Sequence, residues 1–468
     1  MTLRIRALLA ALILVAVAGA GAFFIAHRTA AVAQQNYDVA TTGDVRDLFS
    51  PVGSGSAQLA GLAVRKLEES YYKPVDPDAI VAGEQSALRA YLKSKNVANV
   101  TLPSENAGGN AAQDADLAVS HLAYAQLHYA GKLGTSGRND LSEAALHGIM
   151  NSLKDPYTVY LSARDYQGLH ESLSGGNFGG IGVYIYQLKD GRIVVRPLEQ
   201  MPAARAGMKV GEVVDTVGGK PVRGLALDRV EALIRGVPGS TVQMTTHPFK
   251  GGGREHSYAI VREVIHVPSV HAKMENGIEY VQLSDFGETS GDEVRTAMLD
   301  GHAKGAKGYI LDLRDNGGGF LETAVQISSL FVPQGTIVST IRRDGQRTTS
   351  EALGTAIPGL QPLVILVNKY TASASEITAG ALQDYHLATL VGTKTFGKGV
   401  VQSIYPMPDQ GALKITTARY VTPLGRDIQH RGIEPDVVVN QDVDPALIDT
   451  PADKQLAAAK ARLRSLNR

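Results

Sequence analysis

Residues 363–384 read LVILVNKYTASASEITAGALQD. A wholly apolar run, 363-LVILV-367, passes through a polar turn into a helix-like segment, Ser375–Asp384. A serine at a strand-to-helix junction sits where the first N–H groups of the helix are unsatisfied and the helix dipole favours negative charge. That position suits a nucleophile whose reaction makes an oxyanion. It equally suits a plain helix N-cap, for Ser373 or for Ser375.

The neighbouring pattern extends the same architecture. Val281–Leu283, Tyr309–Leu313 and Thr389–Val391 read as further strands, and Leu321–Phe331 as a helix. Strands alternating with helices imply mostly parallel βαβ units. Before them, residues 176–262 break into short β-like runs between Gly and Pro turns, with one amphipathic helix at Asp228–Arg235. Further upstream the apolar spacing is helical, in Leu59–Leu67 and Leu141–Leu153, with an Asn-, Gly- and Ala-rich loop or insertion expected at 94–115. The last residues, Pro451–Arg468, read as a polar basic helix or tail.

Two more segments carry chemistry. In 395-TFGKGVVQ-402, Lys398 lies between Gly397 and Gly399, and Gln402 follows four positions on. The glycines permit close backbone approach, and a spacing of four keeps two side chains on one side of a helix or strand. A buried lysine favours its neutral form and then serves as a base, with Gln402 orienting its amine. The plainer reading is a surface lysine. In 309-YILDLRDNGGGFLETA-324 a strand runs into Gly317, Gly318 and Gly319. Such a turn leaves N–H groups free to converge on an anion, as an oxyanion hole does, or is merely a tight connection.

Other chemistries find little support. Residues 392-GTKTFGKG-399 fit a phosphate-binding loop except at Gly399, where Ser or Thr is needed. There is no G-x-S-x-G elbow and no H-E-x-x-H. His386 follows the Ser373 helix and reads as a surface or helix-end histidine. The chain has no cysteine, which removes disulfides and thiolate nucleophiles. No metal or other cofactor is expected. Lys plus Arg and Asp plus Glu number 46 each, with no dense basic run, so no nucleic-acid partner is expected.

At the N-terminus, Arg4 and Arg6 precede the uncharged stretch Ala7–Ala26. Its length matches a membrane span of about 20 residues. Ala31-Val32-Ala33 has the form of a signal-peptide cleavage site. Under either reading the two arginines stay cytoplasmic and the rest is exported.

Together the three motifs closely resemble the carboxy-terminal processing proteases, the tail-specific Ser-Lys peptidases of family S41. The resemblance extends to 65-RKLEESYYKPVD-76, 154-KDPYTVYLS-162 and 432-GIEPDVVV-439, and covers roughly residues 59–440. It implies Ser373 as nucleophile, Lys398 as base and Gln402 as third member. It implies oxyanion donors at Ala374 and at Gly317 or Gly318. Residues 179-GGIGVYI-185 and 202-PAARAGMKVGEVVDTVGGKPV-222 look like a PDZ domain, with Gly180, Ile181, Gly182, Val183 and Val230 about the peptide groove. Such domains take a peptide C-terminus by strand addition. The 94–140 insertion departs from the family pattern.

The expected fold is a mixed, largely parallel α/β protease core at 265–445, with an inserted PDZ-like β domain at 176–262 and an N-terminal helical region at 59–170. A signal or anchor at 1–33, a linker at 34–58 and a basic tail at 446–468 complete it. The expected function is endoproteolysis near the C-termini of exported proteins, on the outer side of a bacterial inner membrane. The expected partners are protein or peptide substrates with free C-termini, the membrane if residues 1–33 are retained, and an adaptor or a second copy of the chain. The alternative is a catalytically inactive PDZ-containing scaffold.

Overall fold

The computed structural model describes residues 56–103, 110–134, 136–174, 178–188, 190–198, 200–249, 254–441 and 448–466. The signal or anchor expected at 1–33 and nearly all of the linker lie outside them. Among the described residues no helix is long and apolar enough to cross a membrane. The chain forms two compact units. Ser174–Ser269 belongs to one, together with Gln441–Leu456. Ala33–Leu173, with Val270–Asn440 and Ala457–Arg468, belong to the other.

The larger unit is built on a six-stranded sheet. Its strands run in the order Val270–Glu275, Ile278–Leu283, Gly308–Asp312, Leu363–Val367, Ala388–Gly392 and Val437–Val438. The first pair is antiparallel and every later pairing is parallel. Leu363–Val367 is interior to the sheet, and all five of its residues are buried. An uninterrupted apolar run is what a strand covered on both faces requires. The helices Leu321–Ser329 and Ala374–Asp384 pack on each other and carry Ile327, Ile377 and Leu382 into the same core as Leu311 and Ile365.

A second sheet departs from the expected parallel order. Ala412–Val421 pairs antiparallel with Val159–Leu161, Val400–Pro406 and Thr336–Ile341, and Thr336–Ile341 pairs with Arg347–Glu351. Against it lies the N-terminal region, with helices Gln58–Ser70, Pro77–Ser94, Ala111–Tyr129 and Gly137–Asn151. Leu67, Leu88, Leu122 and Ile149 share one core with Leu413 and Ile415 of the sheet. The segment expected as a loop at 94–115 is already helical from Ala111. Asn110 caps that helix by accepting from the Ala112 and Gln113 N–H groups at 3.2 and 3.0 Å. Its buried face includes Ala115, Ala118 and Ala125, residues that leave little hydrophobic signal in the sequence. Of the two readings of the C-terminal residues, helix or tail, a helix is described. Lys454–Leu466 is a helix with Ala459 and Leu463 buried, and Lys460 pairs with Glu275 at 2.8 Å.

In the smaller unit, Val183–Gln187, Ile193–Pro197, Glu212–Val217, Thr241–Pro248 and His256–Val261 form an antiparallel sheet in that order. The helix Leu227–Ile234 packs on its first and third strands. Ile181, Val195, Val214, Val230 and Met244 fill the interior.

Candidate active site

The strand Leu363–Val367 delivers the chain to Ser373, the N-cap of the helix Ala374–Asp384. Ser373 has φ 59° and ψ −120°. A non-glycine residue there is strained by on the order of 1–3 kcal/mol, and such strain gathers at functional sites. The turn is held by Asn316. Its carbonyl accepts the Ala372 N–H at 3.0 Å and the Ser375 hydroxyl at 3.1 Å. Ser375 is thereby fastened to the neighbouring loop, whereas Ser373 stands at the sharp junction. The N–H of Ala374 donates no hydrogen bond among the described residues.

The triple glycine lies against this junction. A Cβ on Gly318 would fall 2.8 Å from Ser373 Cβ and 2.9 Å from Ala374 N, so only glycine fits. Gly318 also has φ 103°. Its N–H, however, donates to Asn316 Oδ1 at 2.9 Å. In this arrangement Gly318 contributes close approach, and its N–H is engaged elsewhere than at an oxyanion. Upstream, Asp312 and Arg314 form a buried pair at 2.6 Å that anchors the loop to its strand.

Lys398 arrives from the other side. Gly397 has φ 87°, and a Cβ there would lie 2.7 Å from Gly432 N. A Cβ on Gly399 would lie 2.7 Å from Gln429 N. The glycines therefore let the lysine loop nest against residues 428–432, the close approach expected from the sequence. The loop and the nucleophile turn are tied by Glu376, which is fully buried. Its Oε2 accepts from Ser373 N at 3.0 Å and from Lys398 N at 2.9 Å. Its Oε1 accepts from Gly397 N at 2.8 Å and from the Thr395 hydroxyl. Burial pushes its carboxyl up from the ordinary range, and these donors pull it back. Tyr420 adds a second tie, its hydroxyl lying 3.1 Å from Ser373 O and 2.7 Å from Lys398 O. The fold thus brings Ser373 and Lys398 together, and both are completely buried. Lys398 Nζ stands 5.1 Å from the Tyr157 ring centroid. Burial, with the charges of Asp155 and Glu376, pushes the Tyr157 hydroxyl up to about 12.

Gln402 is on the strand Val400–Pro406, opposite Thr416. Lys398 precedes that strand, and a bulge falls between Val401 and Gln402. Strand alternation alone therefore does not relate the two residues; the bulge re-aims Gln402. Its Nε2 donates to Thr416 Oγ1 at 3.4 Å, and its Oε1 is buried without a hydrogen bond. Behind it lie Asp155, Thr158 and Thr416, with Lys414 two residues along the same strand. Burial pushes the Lys414 amine down to about 8, against the opposing charge of Asp155. The sequence reading singled out none of Glu376, Tyr420, Asn316, Asp155, Thr416 or Lys414. Only their presence within the quoted motifs, for Glu376, Asn316 and Asp155, was a signal. His386 is exposed beyond the helix end. Among the described residues no group of three or more His, Asp or Glu is placed to hold a metal ion.

In the smaller unit, Gly182 has φ 69°, and a Cβ on it would meet Met201 Cβ at 2.3 Å. Gly180 ends a short strand paired with Glu263–Ile265. Of the residues expected about the groove, Ile181 and Val230 are packed into the unit's own core, at 1% and 0% exposure. Val183 is half-buried.

Comparison with known proteins identifies the family. Residues 277–439 match the model of peptidase family S41, and residues 193–246 match that of the PDZ domain. A carboxy-terminal-processing protease of Bartonella bacilliformis is 38% identical over 306 residues, covering 64% of this chain and 70% of that protein. A probable CtpA-like serine protease of Staphylococcus aureus is 37% identical over 304 residues, 64% of this chain and 60% of that protein. Among solved structures, the photosystem II D1 C-terminal processing protease is 27% identical, covering 83% of this chain and 94% of that one at a TM-score of 0.44. Because the Bartonella protease is 38% identical and covered over 70% of its length, the chain belongs to peptidase family S41, as a serine peptidase with a PDZ domain.

Proposed function

We propose that this protein is an exported endopeptidase that takes proteins by their free C-termini and cleaves them near that end by a Ser-Lys mechanism. The observation that carries the chemistry is the single Glu376 oxygen that accepts both the Ser373 and the Lys398 N–H. Two loops distant in sequence are thereby fixed to one atom. Full burial withholds from Lys398 the water that stabilises an ammonium, which favours the neutral amine able to take a proton. Ser373 Oγ attacks the peptide carbonyl as its proton passes to Lys398. The Ala374 N–H, at the helix start, faces the developing oxyanion. The second donor is assigned to the glycine loop, at Gly317 or Gly318, where the Gly318 N–H now meets Asn316 Oδ1. Lys398 then returns the proton to the leaving amine, and water hydrolyses the acyl-enzyme. Gln402 orients the Lys398 amine.

Recognition of the C-terminus is assigned to the PDZ domain. The N–H groups of Ile181 and Gly182 donate no hydrogen bond among the described residues, which supports carboxylate capture at this loop. Export rests on the sequence of residues 1–33. Retention of that segment makes the membrane a partner, and N-terminal sequencing of the mature protein distinguishes it from cleavage before Gln34. The test of the mechanism is peptide cleavage by Ser373→Ala and Ser375→Ala. Ser373→Ala is expected to be inactive yet folded, and to trap substrates for identification by mass spectrometry. Ser375→Ala is expected to retain part of the activity. Wild-type turnover by Ser373→Ala refutes the mechanism.

A further inference from the structure

We propose that Asp155 and Thr416 set which way the Gln402 amide points, and so present its oxygen to the Lys398 amine. This rests on Gln402 being the third member of the Ser373–Lys398 site. The Thr416 hydroxyl donates to Asp155 Oδ2 at 2.7 Å. The Thr158 hydroxyl donates to the same oxygen at 2.8 Å, and its own oxygen takes the Thr416 N–H at 3.0 Å. The Thr416 proton is thus committed to a carboxylate, and only lone pairs remain on that side of its oxygen. A group that meets them must be a donor. For Gln402 that group is the NH2, and Nε2 lies 3.4 Å from Thr416 Oγ1. Because the amide is planar, its oxygen is turned to the other side. That oxygen is buried and has no hydrogen-bond partner. It is an acceptor awaiting a donor, and the proposed base supplies one. Accepting one N–H of the amine fixes the direction of the nitrogen lone pair, the pair that must meet the Ser373 proton.

The anchor of this relay is itself fixed. Asp155 Oδ1 accepts the Tyr157 N–H at 3.0 Å, closing a turn in the chain that leads to the strand Val159–Leu161. The Thr416 carbonyl accepts the Tyr72 N–H at 3.0 Å, just beyond the helix Gln58–Ser70. The Tyr71 hydroxyl is pushed up by burial and by the Asp155 charge beside it. The helical region and the 154–158 turn thus converge behind Gln402. Asp155 and Thr416 act through Gln402 and are positioning residues.

The experiment measures kcat and KM for peptide cleavage by the full chain, and labelling of Ser373 by a fluorophosphonate where turnover is slow. Thr416→Val, Thr416→Ser and Asp155→Asn are each made in the wild-type and Gln402→Ala backgrounds. Thr416→Val removes the hydroxyl at nearly constant shape and is expected to lower kcat about tenfold at unchanged KM. Thr416→Ser, which restores the hydroxyl, is expected to recover most of it. In the Gln402→Ala background neither Thr416→Val nor Asp155→Asn is expected to lower the rate further, because the group they orient is gone. Asp155→Asn releases the Thr416 proton and repeats the kcat loss without altering the strand. Equal losses in both backgrounds overturn the inference, as do wild-type rates for Thr416→Val and Asp155→Asn, and both leave Gln402 in its role. Full activity of Gln402→Ala removes Gln402 from the mechanism and the inference with it.

Discussion

Ser373 holds a backbone conformation that a serine does not choose, and the groups around it explain how it stays there. Its N–H is taken by Glu376, its carbonyl by Tyr420, and the residue before it by Asn316. Glu376 is the most connected of these, with four donors converging on one buried carboxylate. Glu376→Gln keeps the size and removes two acceptor sites. With its NH2 toward the Ser373 and Lys398 N–H groups, both lose their partner; turned the other way, the Gly397 N–H does, while the Thr395 hydroxyl can turn to accept. Each buried donor left unmatched costs about 1–3 kcal/mol, so stability is expected to fall by roughly 1–6 kcal/mol. Activity is expected to fall further than stability explains, since a displacement of about 1 Å at a site can cost on the order of a hundredfold in rate. Urea denaturation and peptide turnover check both. A Glu376→Gln enzyme with wild-type turnover means the shared carboxylate does not position Ser373 and Lys398.

At the scale of elements, what the sequence disclosed depended on how locally each element is determined. Leu363–Val367 and Gly308–Asp312 are buried on both faces and read plainly as apolar runs. The turns after them are short, so Ser373 and the triple glycine were legible with their strands. The strand Ala412–Val421 was not, although it holds the second sheet together. Nine of its ten residues are buried, yet they include Lys414, Thr416 and Thr417, which hide any apolar pattern. Its partners at 159–161, 336–341 and 400–406 are distant in sequence, and no local periodicity reports such pairings. Asp155 was invisible as a contributor for the same reason, because its partner Thr416 lies on that strand. Lys414 offers a test of how the strand tolerates its buried amine. Unfolded, a lysine keeps its proton to about 10.4; folded, Lys414 releases it at about 8. Between those values the unfolded chain binds more protons, so this group's contribution to stability rises with pH and is least favourable below 8. Lys414→Met is therefore expected to exceed wild-type stability by roughly 3 kcal/mol near neutral pH, with the gain shrinking toward zero as pH approaches about 10. Denaturation of both proteins across that range decides it. A difference independent of pH means burial does not lower the amine's proton affinity in the folded protein.

At the scale of the whole molecule the described residues form two compact units, and the proposed function gives each its own test. The PDZ unit contains neither Ser373 nor Lys398, and its interior is closed by its own residues, Ile181 and Val230 among them. Under the proposed function, it offers a ligand the backbone of the loop at Ile181 and Gly182, beside the half-buried Val183. Backbone N–H groups hold a carboxylate without any cationic side chain. A substrate whose C-terminus is amidated loses that charge and one of its two acceptor oxygens. Its kcat/KM is expected to fall about tenfold or more against the same peptide as the free acid, the size of a lost hydrogen bond to a charged group. Gly182→Ala supplies the control. Its Cβ would overlap Met201 Cβ at 2.3 Å, with φ at 69°, so the loop must deform. In that variant the acid peptide should fall to the rate of the amide, and the amide should hardly change. Labelling of Ser373 by a fluorophosphonate should proceed equally in both proteins. Equal rates for acid and amide peptides in the unaltered enzyme would sink the assignment of C-terminus recognition to this loop.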